Sequence, residues 1–196
     1  MIGNDIIDIE RTLLETDWQR KGFIQKVFHP DEQELIHSSD DPFGLVWRMW
    51  SMKESAYKLF LQTGQDRFFN PLRLRCMISS SEEGFVKIEE LQIYTRSKSD
   101  PDFIFTSASP NYADEPVDNV FNLTKTDTHF QSKFTHRQLL KSIARKTNLN
   151  LRRLNVRKTD QNVPEVFYDG QKLGISVSLT HHGDYGAYSW IRPIVV

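Results

Sequence analysis

The sequence predicts an α+β protein made of two similar halves, each combining a helix with antiparallel strands. A helix pattern followed by β-rich stretches occurs before residue 108 and again after residue 128. The segment between them contains two clusters of turn residues, Ser109-Pro110-Asn111 and Asp114-Glu115-Pro116. The 196 residues are enough for two compact lobes. We therefore expect a leading half over 1–110, a connector over 111–130 and a second half over 131–196, arranged as a pseudo-dimer.

The leading half begins with alternating apolar residues, which predict a strand over Ile2–Ile9. Helical patterns follow over Trp18–Phe28 and Pro30–His37, where Pro30 suits a first helical turn. A longer helix runs from about Pro42 to Thr63 and ends at Gly64. Three strand patterns close this half: Leu72–Ser79, Phe85–Thr95 and Phe103–Ser107.

The second half repeats this order of elements. A helix is predicted over 135–147, and three strand patterns follow it: Arg153–Lys158, Pro164–Asp169 and Gly174–His182. No simple repeat of residues accompanies the repeated order of elements.

The composition excludes several classes of protein. Hydrophobic residues make up 38% of the chain and aromatic residues 12%, so we expect a packed core rather than disorder. A formal net charge of -1 argues against a protein that binds nucleic acid over its whole surface. The single cysteine, Cys76, cannot form an intramolecular disulfide. No signal-peptide pattern and no apolar run of membrane-spanning length is present, and we expect a cytoplasmic protein without a membrane partner.

The long helix of the leading half carries an acid among apolar residues. At about 100° per residue, one apolar stripe is formed by Phe43, Val46, Trp47, Trp50, Tyr57 and Leu61. Glu54 falls in the middle of this stripe. Burying an unpaired carboxylate is costly, so we expect a cation, a cluster of donors or protonation to compensate it. The alternative is that the stripe frays and Glu54 meets solvent.

The first strand carries a second acid of this kind. Because side chains alternate between the faces of a strand, Asp5 shares a face with Ile7 and Ile9, whereas Asp8 points the other way. Two carboxylates that converge in a partly dry site raise each other's pKa unless a hard cation lies between them, and oxygen ligands favour Mg²⁺ over zinc. Asp5 and Glu54 are therefore candidate ligands to Mg²⁺. The alternative for Asp5 is a turn cap.

The last predicted strand ends in two histidines on opposite faces. His181 shares its face with Ile175, Val177 and Leu179, whereas His182 shares the other face with Ser176, Ser178 and Thr180. In a regular strand the two histidines cannot both point into one site. A structural hydrogen-bonding role is the alternative to a functional role for either histidine.

A basic stretch without any acid runs from Arg137 to Lys158. Its eight basic residues are Arg137, Lys141, Arg145, Lys146, Arg152, Arg153, Arg157 and Lys158. Three of them, Arg137, Lys141 and Arg145, recur every four residues and predict a basic ridge on one helix. Such a ridge suits phosphates or an acidic partner, and the alternative is a solvated helix face.

Four motifs together resemble the 4′-phosphopantetheinyl transferase superfamily. They are Gly3-Asn-Asp5-Ile-Ile-Asp-Ile-Glu10, Val27-Phe28-His-Pro-Asp-Glu32, Trp50-Ser-Met-Lys53-Glu54-Ser-Ala-Tyr-Lys58 and Ser178-Leu-Thr-His181. The motif around Lys53 and Glu54 is specific when it comes third in this order. The motifs span nearly the whole chain, although residues 65–135 match only as a β-rich pattern.

The resemblance implies an enzyme of holo-acyl-carrier-protein synthase type with the fold of that superfamily. Such an enzyme transfers phosphopantetheine from coenzyme A to a serine of an acyl or peptidyl carrier protein, as in fatty acid or polyketide biosynthesis, and releases adenosine 3′,5′-bisphosphate. It implies that Asp5 and Glu54 hold Mg²⁺ and that Glu54, or a metal-bound water that it orients, helps to remove the serine proton. The implied contacts to coenzyme A come from Lys58 at the phosphates, Thr180 and His181 at the nucleotide end, and Arg137. The basic ridge would bind the 3′-phosphate or dock the carrier protein.

Two departures from the family pattern affect the site. Larger members have a second acid in the first motif, where this chain has Ile7, so we expect two protein ligands to the metal and leave a third open. The Gly-Lys-Pro segment of larger members is represented only by Asn162-Val163-Pro164, which lacks the lysine.

The order of the motifs bears on the oligomeric state. The half with Asp5 and Glu54 leads and the half with Thr180 and His181 follows, as in the small members, which assemble as trimers with sites between subunits. Because this chain has a second half of its own, we expect a monomer with its site between the halves, and a trimer is the second choice.

Two other functions remain open at this stage. The lost acid and lysine are compatible with a catalytically weakened module that only binds coenzyme A or carrier proteins. A metallohydrolase built on His181, His182 and a carboxylate is a weaker alternative.

Overall fold

The computed structural model describes residues 1–125 and 127–192. Residue 126 of the predicted connector and residues 193–196 of the predicted second half lie outside the described residues. The leading half contains β1 (Gly3–Asp8), α1 (Ile9–Glu15), α2 (Phe23–Val27), α3 (Pro30–His37), α4 (Pro42–Leu61), a 3₁₀ turn (Pro71–Arg73), β2 (Arg75–Ile78), β3 (Glu83–Ile88), β4 (Leu91–Ser99) and β5 (Phe103–Ser109). The second half contains β6 (Val117–Asn122), α5 (Thr128–Thr147), a 3₁₀ turn (Leu151–Arg153), β7 (Leu154–Lys158), β8 (Pro164–Tyr168), β9 (Gln171–His182) and β10 (Tyr185–Ile191).

The two halves share one topology, which confirms the predicted α+β pseudo-dimer. Each has a five-stranded antiparallel sheet, with the order β1-β5-β4-β3-β2 in the first and β6-β10-β9-β8-β7 in the second. In both, an opening strand is followed by a long helix, a 3₁₀ turn and a four-stranded meander whose last strand pairs with the opening one.

A residue-level repeat accompanies this topology, although the sequence alone did not reveal it. Asn70 and Asn150 each cap the 3₁₀ turn by accepting a backbone N–H two residues later. Arg73 then pairs with Glu89, and Arg153 pairs with Asp169. Both acids lie at equivalent hairpin turns with φ of 52° and 51°. The halves therefore use the same device to join helix, turn and hairpin.

Several elements differ from the sequence prediction. A helix over Ile9–Glu15 replaces the end of the first predicted strand, because Asp8 accepts the backbone N–H of Arg11 and caps a helix there. The stretch predicted as one strand over Phe85–Thr95 is two strands, β3 and β4, divided by a turn at Glu89. The expected connector, residues 111–130, includes β6 and the first turn of α5, which begins at Thr128 behind the cap Asp127.

Three apolar clusters hold the molecule together. The largest lies between α4 and the first sheet, and a second lies between α5 and the second sheet. A small third cluster of Ile6, Phe105 and Ala187 lies where the two sheets meet. Within the described ranges, no helix is long and apolar enough to cross a lipid bilayer.

Gly3 sets the distance between β1 and α4. A Cβ atom at this position would lie 1.9 Å from the backbone oxygen of Ser55, so only glycine permits the observed approach. This close packing brings the strand that carries Asp5 against the helix that carries Glu54.

Candidate active site

Asp5 and Glu54 line one cavity between the two halves. Its volume is about 420 Å³. The leading half supplies most of the wall, and β9 of the second half supplies Thr180, His181 and His182. The predicted convergence of the two acids is therefore present in the fold.

Asp5 has one carboxylate oxygen that is engaged and one that has no partner. Its Oδ1 accepts hydrogen bonds from Lys58 Nζ at 3.1 Å and from Thr180 Oγ1 at 3.4 Å. Lys58 Nζ also donates to the backbone oxygen of Asn4 at 2.8 Å, which fixes the lysine beside the strand. The second oxygen of Asp5, Oδ2, is buried and accepts no hydrogen bond from the described residues.

The carboxylate of Glu54 lies in the same electrostatic environment. Burial raises the pKa of Glu54, the charge of Asp5 raises it further, and Lys58 opposes both effects. Two carboxylates with an unsatisfied buried oxygen offer the oxygen ligands that a divalent cation prefers. No group of three or more potential metal ligands occurs in residues 1–125 and 127–192. The oxygen atoms of Asp5 and Glu54 are thus of the type that fits a Mg²⁺ ion.

The stripe that carries Glu54 contributes both to a cavity wall and to the core contact of α4. Trp47 and Trp50 line the cavity with Glu54. Further along the helix, Tyr57, Lys58 and Leu61 line a second cavity of about 280 Å³. Val46 and Trp47 of the stripe also belong to the core cluster, together with Met49, Met52 and Ala56. Because α4 is packed on several sides, its apolar stripe serves the core at Val46 and the cleft at Trp50.

Lys53 is buried inside the fold and does not line the cavity, although it directly precedes Glu54 in the sequence. Its side chain is 1% exposed, and Nζ donates to Glu32 Oε2 and to the backbone oxygen of Val27, both at 2.8 Å. Glu32 also accepts the backbone N–H groups of His29 and Cys76. This buried pair joins α3, α4 and β2 and fixes the part of α4 from which Glu54 projects.

One face of β9 attaches the second half to β1. Ser178 Oγ accepts the backbone N–H of Asn4 at 3.0 Å, and His182 Nδ1 accepts that of Asp8, also at 3.0 Å. Thr180 contacts Asp5, and Ser176 Oγ donates to Gln62 Oε1 at 2.7 Å. These four alternate residues, Ser176, Ser178, Thr180 and His182, are the polar face of β9. They occupy the free edge of β1 beside Asp5.

The two histidines of β9 line the same cavity, contrary to the expectation from strand alternation. The cavity lies at the end of the strand, where the ring of His182 turns to the backbone N–H of Asp8. His182 Nδ1 is therefore a hydrogen-bond acceptor. In the described residues this geometry gives no cluster of ligands for the metallohydrolase alternative.

His181 also borders a smaller cavity of about 120 Å³ with His136 and Lys158. Burial and the nearby positive groups lower the pKa values of His136 and His181. Mutual repulsion of such groups is relieved when an anion binds among them. The small cavity is thus suited to a phosphate.

Arg137 is not brought to these cavities. It is exposed on α5 and lines none of the three described above, whereas its neighbour His136 faces inward. Helical spacing predicts that His136 faces inward, because this residue lies three and seven positions before the buried Leu139 and Ile143. The family resemblance points to Arg137, the exposed neighbour of His136.

Comparison with known proteins identifies a family and similar solved structures. The family model of the 4′-phosphopantetheinyl transferase superfamily matches residues 1–110. The holo-(acyl-carrier-protein) synthase of Helicobacter pylori, solved in complex with coenzyme A, matches at 18% identity and a TM-score of 0.45, over 57% of this chain and 100% of that chain. No curated protein matches the chain.

Proposed function

Because the chain belongs to the 4′-phosphopantetheinyl transferase superfamily, we propose that it transfers phosphopantetheine from coenzyme A to a serine of an acyl or peptidyl carrier protein. The observation that carries the proposal is the pair of carboxylates, Asp5 and Glu54, in one cavity between the halves, with Lys58 hydrogen-bonded to Asp5. In the proposed step the serine oxygen bonds to the β-phosphorus of coenzyme A. The bond from that phosphorus to the bridging oxygen breaks, and adenosine 3′,5′-bisphosphate leaves.

Each side chain has a role that its surroundings support. Asp5, through its free Oδ2, and Glu54 would hold Mg²⁺. Bound Mg²⁺ would neutralise the negative charge on the pyrophosphate oxygens. Lys58, held between Asn4 and Asp5, presents a cation to the same phosphates. Glu54, which lines the same cavity as Asp5, would accept the serine proton.

The nucleotide end of coenzyme A has a proposed position in the smaller cavity. His136, His181 and Lys158 surround it and would bind the 3′-phosphate. Lys158 shares this cavity with Asn162 and Pro164. It therefore supplies a cation next to the segment that lacks the lysine of larger family members. Thr180 contacts Asp5, so a contact from its hydroxyl to the nucleotide stays a prediction.

The carrier protein has a proposed docking surface on α5. Arg137, Lys141 and Arg145 are exposed on one ridge, and none forms an ion pair within the described part of the chain. This ridge suits an acidic carrier surface, and its exposure favours docking over a contact from Arg137 to coenzyme A. The expected monomer and cytoplasmic location stay predictions.

The test is a transfer assay with coenzyme A, Mg²⁺ and a panel of apo-carrier proteins, read by intact mass. We expect at least one carrier to gain one phosphopantetheine, with equimolar release of adenosine 3′,5′-bisphosphate. Binding of coenzyme A without modification of any carrier would contradict transfer and favour a catalytically weakened binding module.

A further inference from the structure

Phe69 lies fully exposed at the rim of the cavity that Lys58 and Glu54 share with the second half. Its side chain is 98% exposed. Isolated exposed apolar residues are common on protein surfaces. Phe69 differs from these because it lines a cavity of about 280 Å³ that also contains Lys58 and Glu54.

The loop that carries Phe69 is held on both sides. Phe68 packs against Tyr57 and Phe60 with ring centroids 4.9 and 5.9 Å apart, and its backbone N–H donates to Tyr57 Oη at 3.2 Å. Arg67 donates to the backbone oxygen of Gln161 in the second half at 2.6 Å. Since Phe68 already fills the apolar position beneath the loop, the ring of Phe69 stays at the rim.

The cavity beneath Phe69 has apolar walls and a cationic end. Its apolar residues come from both halves: Leu61, Val163, Pro164 and Leu179. Lys58 and Arg67 supply the positive groups. A planar apolar ring attached to phosphates matches this combination of surfaces.

This cavity adjoins the proposed phosphate site. Asn162, Pro164 and Leu179 line both cavities, and the smaller one holds His136 and Lys158. The positive groups of Lys58 and Lys158 thus lie in two neighbouring cavities. A nucleotide with phosphates at its 3′ and 5′ positions carries both phosphates and the base on one ribose, so a ribose between the two cavities would direct one phosphate to each lysine and the base to the apolar walls beneath Phe69.

We propose that Phe69 stacks on the purine base of coenzyme A, so that a loop of the leading half closes over a nucleotide held by the second half. This assignment rests on the proposed function, because it takes the phosphates of coenzyme A to lie at Lys58 and Lys158. Phe69 is a binding residue and takes no part in the chemical step.

The test compares two ligands, coenzyme A and adenosine 3′,5′-bisphosphate, by calorimetry on the intact protein. Base stacking on an aromatic side chain is lost on substitution by alanine, so Phe69→Ala should weaken binding of both ligands roughly 5- to 100-fold. Phe69→Tyr keeps an aromatic face and should restore binding to near the wild-type level. Leu91→Ala, which removes an exposed apolar side chain in the hairpin between β3 and β4, is the matched control and should change neither affinity.

Two results would overturn the assignment of Phe69. The first is unchanged affinity of Phe69→Ala for both ligands. The second is weaker binding of coenzyme A alone, because the pantetheine arm rather than the base would then occupy the cavity. In steady-state transfer, Phe69→Ala should raise KM for coenzyme A and leave kcat unchanged, and a loss confined to kcat would also count against stacking.

Failure of the proposed function gives a different pattern. If wild-type protein modifies carriers and Phe69→Ala binds the nucleotide normally, the transferase proposal stands and the stacking proposal falls. If nucleotide binding depends on Phe69 but no carrier is modified, stacking stands and transfer falls. If wild-type protein binds neither ligand, both fall.

Discussion

Glu54 is a residue of the site whose ionised form is disfavoured by its surroundings. Its carboxylate is partly buried beside Asp5, and only Lys58 opposes the rise in its pKa. A divalent cation between the two acids would remove that electrostatic penalty. Metal binding and the stability of the folded chain are therefore coupled through this side chain.

The pH dependence of stability should reveal this coupling in the metal-free protein. Because the pKa of Glu54 is raised on folding, its stabilising contribution is complete below the ordinary pKa of glutamate and is lost as the pH rises through the raised value. Glu54→Gln removes that loss, so the variant should melt above wild type at about pH 8 and close to wild type at low pH. Thermal unfolding across the pH range measures this difference.

Added Mg²⁺ supplies the control for this prediction. It should raise the Tm of wild-type protein and leave that of Glu54→Gln nearly unchanged. Equal stabilisation of both proteins by Mg²⁺ would place the ion elsewhere.

Lys53 illustrates how a motif residue serves the fold. Removing one partner of a buried ion pair leaves a charge without compensation, so Lys53→Met should cost about 3–5 kcal/mol of unfolding free energy. Glu32→Gln should have a similar cost, and the double variant should lose less than the sum of the two. Denaturant unfolding of the four proteins measures the coupling. Strictly additive losses would contradict a direct role for the pair.

At the scale of elements, the polar face of β9 connects the fold to the site. Its hydroxyl and imidazole groups satisfy backbone groups along the free edge of β1, next to Asp5. A strand of the second half thereby fixes the position of a metal ligand in the leading half. This connection explains why residues near the two ends of the chain build one cavity.

Ser178→Ala tests this connection. The substitution leaves the backbone N–H of Asn4 buried without a partner, which should cost about 1–3 kcal/mol. We also expect severalfold weaker Mn²⁺ binding, measured by titration, because Asp5 follows Asn4 directly. Ser99→Ala, on an exposed part of β4, is the matched control. Normal Mn²⁺ affinity in a destabilised Ser178→Ala would show that the face joins the halves without positioning Asp5.

The elements that could be predicted from the sequence are those with a local signal. The bounds of α3 follow from Pro30 and its acidic first turn, and α4 follows from its apolar stripe. By contrast, α1 leaves Leu13 and Leu14 63% and 76% exposed, so it has no apolar periodicity that would predict a helix. The short strand β6 also lacks a regular alternation of buried and exposed residues, so no alternating pattern predicts it as a strand.

The site was predictable where an acid interrupts an apolar pattern. Asp5 and Glu54 were identified in this way, and the fold brings them together. The environment of Lys53 and the contacts of Ser178 depend on partners far along the chain, which no local pattern specifies. Long-range pairing therefore limits what one sequence can show.

At the scale of the whole molecule, the two halves are alike in topology and unlike in chemistry. The third residue of β1 is Asp5, and the third residue of β6 is Asn119. The helix α4 carries Glu54, whereas α5 contains no acidic residue between Thr128 and Thr147. The second half therefore provides no counterpart of the carboxylate pair.

This asymmetry predicts one site per chain in a monomer. Light scattering should give the mass of a single chain, and titration should give one Mn²⁺ and one coenzyme A bound per chain. A stable trimer, or two metal ions per chain, would contradict a site completed by the two halves of one molecule.

The most direct test of the account is the transfer rate of Asp5→Asn, measured by intact mass of a carrier protein that the wild-type enzyme modifies. The substitution keeps the size of the side chain and removes the charge proposed to hold Mg²⁺. We expect the transfer rate to fall about 10²–10³-fold. The fold of Asp5→Asn should stay intact by circular dichroism, and the control Asp17→Asn should transfer at the normal rate. Transfer by Asp5→Asn at the wild-type rate would contradict the metal site and, with it, the proposed role of the carboxylate pair.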